Sequence, residues 1–459
     1  MQGDSLDLGK SDVLTTFGKY FIPTLLGMLS LCAVTAVDGI FVGHGVGSDG
    51  IAAINICMPL YMVLTGVGLM VGAGCSVVAS INLSRGKECV ARINVTQALA
   101  FVTVVALIPT ILVFCFPTRI SELLGASPGL MQMTKEYIMW LAPSWAFQVW
   151  AYVALFTIRL DGNPKLAMWC TLTTSIVNTV LDWLFIFPFG WGIAGAAAAS
   201  TISVMAGSSI AMIYLIFNAK RLRPVKLGFS VKSLKLSLRN ICHQCKVGSS
   251  ALLGEVAMSV IMFVGNFVFM HYLGDDGVGA FGLACYYGPF IFMTGNAITQ
   301  SVQPIISYNH GLGLTSRTQS ALRIALFTAV GCGLVVSMVF IFCPRFLVNL
   351  FIDPSGEAAL LAIEGFPYFA TGFICFIVNL TVVGYYQSIE NVRLATFFAM
   401  LRGFIFLIPS FVIMPKLLGT VGIWVALSCS EMLTTLCILA LFLFRQCRNK
   451  LVYKLDSHL

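Results

Sequence analysis

The segment TLTTSIVNTVLD, Thr171 to Asp182, lies within an apolar run that has no Lys or Arg between Lys165 and Asp182. Its polar residues Thr171, Thr174, Ser175, Asn178 and Asp182 recur at i, i+3, i+4, i+7 and i+11, the spacing that gathers them into one stripe of a helix. The surrounding run, 164 to 187, is long enough to cross a hydrocarbon core of about 30 Å. An aspartate there costs on the order of 2.5 to 3.5 kcal/mol on insertion scales, so it belongs against a protein interior or a water-filled cavity. Hydrogen bonding between neighbouring helices explains the hydroxyls alone. Asn178 and Asp182, one turn apart, point instead to a site.

The rest of the chain repeats that apolar character. Of 459 residues, 58% are hydrophobic and only 10% charged, where a soluble domain carries about a quarter charged residues. A soluble globular chain is excluded. Twelve apolar runs are long enough to span: 13–42, 51–83, 92–116, 128–158, 164–187, 192–218, 240–272, 278–309, 318–343, 357–387, 393–414 and 420–445. The fold class is an all-α polytopic membrane protein. The first twelve residues are polar and the following run is too long for a signal core, so no cleavable signal peptide is expected. The fifteen cysteines are scattered through apolar runs as small buried hydrophobes. Cys242, His243 and Cys245 have no second cluster to complete a four-ligand zinc site. HExxH is absent and the paired Asp motifs of membrane aspartic proteases do not appear, so an enzyme is not expected.

Charge sets the orientation. With the N-terminus cytoplasmic, 23 of the 27 Lys and Arg fall on one side, eight of them between Lys220 and Lys246. Only Arg119, Lys135, Arg345 and Lys416 fall on the other. The positive-inside rule then places both termini in the cytoplasm of a multi-pass cell-membrane protein. The net charge of +8 is a topology signal, and nucleic-acid binding need not be invoked. The basic joint KRLRPVKLGFSVKSLKLSLR is either a solvated linker or a segment resting on anionic headgroups.

The two halves repeat. A shift of 227 carries GSDGIAA (Gly47 to Ala53) onto GDDGVGA (Gly274 to Ala280), Pro117 onto Pro344 and Gly195 onto Gly422; a shift of 228 carries NPKLA at Asn163 onto NVRLA at Asn391. The predicted architecture is an N-terminal lobe over 1–219, a cytoplasmic linker over 220–239, and a C-terminal lobe with its tail over 240–459. The lobes hold six helices each, so they share an orientation and a pseudo-two-fold axis along the membrane normal. This is the plan of a secondary transporter.

The run VDGIFVGHGVGSDGIAAINICMPLYMVLTGVGLMVGAG, its weaker echo in the second half, and RLDGNPKLA after the fourth run resemble multidrug and toxic compound extrusion (MATE) transporters along essentially the whole chain. The resemblance implies export of organic, often cationic, small molecules in exchange for inward H⁺ or Na⁺, with no resident cofactor. A monomer in the bilayer is expected. The alternative is a flippase of the same superfamily for lipid-linked saccharide or lipid.

Comparing the halves locates the chemistry. Asp38 falls on Gly265, Asn178 on Ile405 and Asp182 on Pro409, so these polar residues are not demanded by the duplicated scaffold. By resemblance, Asp38, Asn178, Asp182 and Thr201 surround one cation or proton. Two carboxylates with amide and hydroxyl oxygens suit Na⁺; alternatively the carboxylates share a proton, because like charges held close resist joint ionisation. A second stripe, Glu255, Ser259, Met262 and Asn266, lies on the seventh run; Glu255 matches a glutamate found on that helix in a subset of the family, and by this resemblance the stripe is expected to take part in substrate binding or coupling. Members of that subset usually carry an aspartate on the tenth helix, whereas the tenth run here has Asn379 but no aspartate, so a complete cation site in the second lobe is not expected. Arg402 is expected to snorkel to the interface; Glu431 and Glu364 either line a lobe or pair locally. Pro23 interrupts the hydrogen bonding of the first helix and is the expected hinge.

Overall fold

The computed structural model describes residues 8–228, 230–352 and 355–456, and every regular element among them is helical. In the first half, α1 (Val13–Gly45), α2 (Ser48–Ser84) and α3 (Glu88–Cys115) lead through α4 (Pro117–Leu123) to α5 (Met131–Leu141), α6 (Ser144–Leu160), α7 (Pro164–Ile186) and α8 (Gly192–Ile213), which ends in a π-turn at Tyr214–Asn218. The second half comprises α9 (Val231–Gly311), α10 (Thr315–Phe342), α11 (Pro344–Asn349), α12 (Glu357–Phe369), α13 (Phe373–Ser388), α14 (Val392–Met400) and α15 (Leu407–Asp456), with a π-turn at Leu401–Ile405 before α15.

Nine helical stretches among the described residues are long and apolar enough to cross a membrane, and α5 with α6, bent by 48°, makes a tenth. That bend sits at Ala142 and Pro143, where the prolyl nitrogen has no hydrogen to donate. Two of the nine stretches are far too long for one crossing at 1.5 Å per residue. Val231–Gly311 breaks at Gly274, and Val392–Phe444 breaks at Gly419. Those breaks accommodate the twelve expected runs.

The turns carry the duplication in their backbone. Gly47 (φ 95°) recurs as Gly274 (φ 66°), Gly86 (74°) as Gly313 (75°), and Gly192 (55°) as Gly419 (59°), each pair 227 residues apart. Such angles cost an L-residue side chain, and glycine avoids that cost. Glu390 is the one described non-glycine residue with positive φ, 55°, and it stands 228 residues after Gly162. The shift of 227 also carries both ends of α3 onto both ends of α10. Pro117 and Pro344 each open a short helix at its first turn, where a missing N–H costs nothing.

Backbone proximity divides the chain into two compact units, which are not the two halves of the repeat. The first holds residues 1–255 together with 296–325 and 384–392. Glycines let its helices interlock: a Cβ on Gly74 would collide with the Gln244 carbonyl oxygen, and one on Gly248 with that of Met70. Polar ties join the late segments to the early ones. Ser307 Oγ donates to Ser80 Oγ at 2.8 Å, Gln303 Nε2 to the Ala73 carbonyl at 3.0 Å, and Arg159 Nη1 to Gln300 Oε1 at 2.8 Å. Ser80 and Ser307 are themselves repeat partners, 227 apart.

The second unit holds 256–295, 326–383 and 393–459. Its core is aromatic: Phe340 packs on Phe366 and Phe373, and Phe369 and Phe366 both meet Trp424. Gly365 gives the Trp424 ring its place.

Candidate functional site

The stripe on α7 divides by function. Thr171 Oγ1 donates to the Met168 carbonyl and Thr174 Oγ1 to that of Cys170, so both hydroxyls are satisfied within their own helix. Their outer surfaces set the packing. A Cβ on Gly27 of α1 would come within 2.5 Å of Thr171 Oγ1, and one on Gly207 of α8 would collide with Thr174 Oγ1. Small residues on both neighbours thus draw α1 and α8 against α7. Ser175 Oγ donates to Ser30 Oγ at 3.2 Å across the α1–α7 contact.

One turn further along, the stripe turns from hydroxyls to an amide and a carboxylate. Asp182 is completely buried, and neither of its carboxylate oxygens receives a hydrogen bond from the described residues. Asp38, half-buried on α1, brings its carboxyl group within side-chain hydrogen-bonding reach of Asp182. Two carboxylates at that separation repel unless a proton or a cation lies between them. Asn178, also buried, donates through Nδ2 to Ser200 Oγ at 3.4 Å, which links the site to α8. Thr201, the next residue on α8, spends its hydroxyl proton on the Trp140 carbonyl at 2.7 Å and keeps its oxygen lone pairs. The four residues therefore occupy three mutually packed helices. Asp38 and Asp182 meet directly, and Asn178 reaches the α8 turn that carries Thr201.

Two tyrosines escaped the sequence reading. Tyr137 on α5, 5% exposed, lies within Coulombic range of both aspartates, and Tyr61 on α2 within range of Asp38 and Glu255. Tyr152 on α6 is likewise near Glu255 and accepts from Gln148 Nε2 at 3.2 Å; Thr65 stands beside both Tyr61 and Tyr152. A tyrosine in an apolar run reads as core, and only the tertiary approach of α2, α5 and α6 distinguishes these.

The stripe on α9 does not stay together. Glu255 is half-buried against α2, where Gly66 leaves room for Leu252 and Glu255, and it closes the first segment of the first unit. Ser259, Met262 and Asn266 fall in the second unit. There Met262 and Met258 line a small cavity walled by Phe281, Phe373 and Phe376, while Asn266 is exposed. Pro23 is buried within α1, which continues helically through it.

The largest departure concerns Arg402. It does not snorkel: its side chain is 5% exposed and bonds both carboxylate oxygens of Glu431, Nη2 to Oε1 at 2.7 Å and Nε to Oε2 at 3.3 Å. The guanidinium also lies 4.3 Å from the centroid of Phe376. Asn379 Nδ2 donates to Glu431 Oε2 at 2.7 Å, and Thr435 Oγ1 to Asn379 Oδ1 at 2.9 Å. In the second half the carboxylate is thus already neutralised by a tethered cation. Glu364 is exposed. Among the described residues no cluster of three or more His, Cys, Asp or Glu gathers as a metal site.

Comparison with known proteins agrees with this architecture. The MatE family model matches the chain twice, over residues 23–184 and 251–412. The multidrug export protein MepA of Staphylococcus aureus is 24% identical over 440 residues, covering 95% of both chains. Among solved structures, an outward-facing multidrug resistance MATE family transporter superposes with a TM-score of 0.87 at 20% identity over 98% of both chains. A MOP superfamily transporter from Pyrococcus furiosus gives 0.86 at 19% identity over the same share of each. With one family model matching both halves in register with the structural repeat, this chain belongs to the MatE family, the multidrug and toxic compound extrusion transporters.

Proposed function

We propose that this transporter exports small organic, mainly cationic, compounds in exchange for inward H⁺ or Na⁺, and that the exchanged ion is held in the first half at Asp38, Asn178, Asp182 and Thr201. The observation that carries the reading is the meeting of Asp38 and Asp182, two carboxyl groups with oxygens that no described residue satisfies, at positions whose repeat partners are Gly265 and Pro409. Such a pair has a use for a mobile positive charge. The second half has none, because Arg402 already supplies it.

An ion arriving from outside neutralises the pair and weakens the hold on a cationic substrate, which then leaves outward. Reciprocity requires that ion and substrate oppose each other by the same coupling free energy. Glu255, within range of Tyr61 and hence one residue from Asp38, senses substrate or couples it to the site. Pro23 provides the bend of α1 that follows occupancy of Asp38; normal transport by Pro23→Ala at every pH would remove that part of the mechanism. Buried carboxylates argue against the pyrophosphate head of a lipid-linked saccharide as cargo.

The test is transport of a cationic dye in proteoliposomes under an imposed pH or Na⁺ gradient. Asp38→Asn and Asp182→Asn should abolish gradient-driven efflux while the purified proteins keep the wild-type melting profile. Efflux by both variants at the wild-type rate would defeat the assignment, and the effective gradient identifies the ion.

A further inference from the structure

The basic joint admits two readings, a solvated linker or a segment at the headgroups, and the structure separates them. A solvated linker presents polar side chains outward. Here the first turns of α9 leave Val231 86%, Leu234 73% and Leu238 61% exposed. On a helical wheel these three form one ridge, and Lys232, Lys235, Arg239 and Lys246 form an adjoining strip, all four exposed. None of the four is ion-paired among the described residues.

The inner face of the same turns is fastened to α3. Gln97 Nε2 donates to Ser237 Oγ at 2.8 Å, Asn240 Nδ2 to Gln97 Oε1 at 3.3 Å, and Gln244 Nε2 to Asn94 Oδ1 at 3.0 Å. Going from Ser237 to Gln244 along α9, the partner on α3 moves back from Gln97 to Asn94. The start of α9 is therefore packed against α3 at Asn94 and Gln97, six to nine residues past Glu88, instead of hanging beyond that end. The preceding linker is tied to α3 and to the end of α6: Val225 N–H donates to Thr96 Oγ1, Arg92 Nε to the Arg221 carbonyl, and the Lys220 and Arg221 N–H groups to Asp161. An exposed apolar ridge beside a cationic strip, at the end of a spanning stretch and fastened to the polar end of a second spanning helix, is the pattern of an interfacial element.

We propose that the outer face of Val231–Lys246 docks on anionic phospholipid headgroups, with Val231, Leu234 and Leu238 at the acyl boundary and Lys232, Lys235 and Arg239 on lipid phosphates. Charge complementarity selects acidic lipid, and the ridge requires a bilayer instead of a free anion. Because this helix continues through Gly248 to Glu255, the docked lipid holds in place the stretch that interlocks with α2.

The full-length protein in nanodiscs of phosphatidylglycerol or of phosphatidylcholine tests this by hydrogen exchange of peptides covering 231–246. Exchange should be slower in phosphatidylglycerol, and the difference should vanish at high salt. Replacing Lys232, Lys235 and Arg239 together by Gln should weaken competition by short-chain phosphatidylglycerol on the order of a hundredfold. Leu234→Ser with Leu238→Ser should remove protection in both lipids. Equal exchange in the two lipids at low salt would overturn the proposal. So would full protection by soluble glycerol phosphate in the phosphatidylcholine disc, which would mark a free-anion site.

Discussion

Arg402 and Glu431 form a buried, two-oxygen ion pair between the π-turn Leu401–Ile405 and α15, with Phe376 against the guanidinium and Asn379 against the carboxylate. Under the repeat, Arg402 stands where the first half has Ser175, a member of the α7 stripe. The two halves thus treat one helix face oppositely. One leaves carboxylate oxygens without a hydrogen-bond partner among the described residues, and the other pairs its carboxylate with a cation of its own.

Removing one partner of this pair strands the other. Arg402→Met or Glu431→Leu should each cost about 3 to 5 kcal/mol, whereas the double substitution should recover much of the loss, because a buried pair and a well-packed apolar pair are of similar stability. Thermal unfolding in detergent reads this directly. If the double variant is as unstable as the worse single one, the network through Asn379 and Thr435 matters more than the pair.

How far the sequence could be read follows from which contacts are local. Gly47 and Gly274 announce their turns because positive φ selects glycine wherever the chain reverses, so the duplication is visible from residue identity alone. Asp182 is legible because a carboxylate in an apolar run needs a reason, and its apolar repeat partner shows that the scaffold is not the reason. Arg402 departs from the expected snorkelling for the opposite cause. Snorkelling treats a cation as alone, whereas its partner is 29 residues away on another helix and is reached through a π-turn that no periodicity announces. Tyr61 and Tyr137 stayed hidden because an aromatic in a spanning run is ordinary core until another helix brings a carboxylate to it.

Tyr61 feels the charge of two acidic groups that lie far apart in the sequence, Asp38 and Glu255. If it connects them, Tyr61→Phe and Glu255→Gln should be non-additive in transport rate, with a coupling above about 0.5 kcal/mol in a double-mutant cycle. Additive effects would separate Glu255 from the aspartate pair.

The interlock of Gly74 and Gly248 leaves no room for a methyl group, since in each case the obstacle is a backbone carbonyl that cannot rotate away. Gly248→Ala should therefore destabilise the protein by roughly 1 to 3 kcal/mol or more. Gly228→Ala, where nothing lies within 4 Å of the added Cβ, is the matched control and should leave the melting temperature unchanged.

Asp12 caps α1: Oδ2 accepts from the Thr15 backbone N–H at 2.9 Å and from the Thr15 hydroxyl at 2.9 Å. These bonds favour the ionised carboxylate, with a lesser contribution from the positive charge of Arg317, and hold its pKa below the ordinary 3.8. Because the folded value lies below the unfolded one, the cap contributes fully above the ordinary aspartate range, and its contribution is lost as pH falls through the lowered folded value. Asn caps helices comparably without titrating. Amide exchange at Thr15 and Thr16, corrected for the intrinsic pH dependence of exchange, should therefore lose protection on acidification in the wild type. Asp12→Asn should hold its protection constant over the same range, and Asp12→Ala should lack it at every pH. Equal acid sensitivity in wild type and Asp12→Asn would show that some other group governs the start of α1.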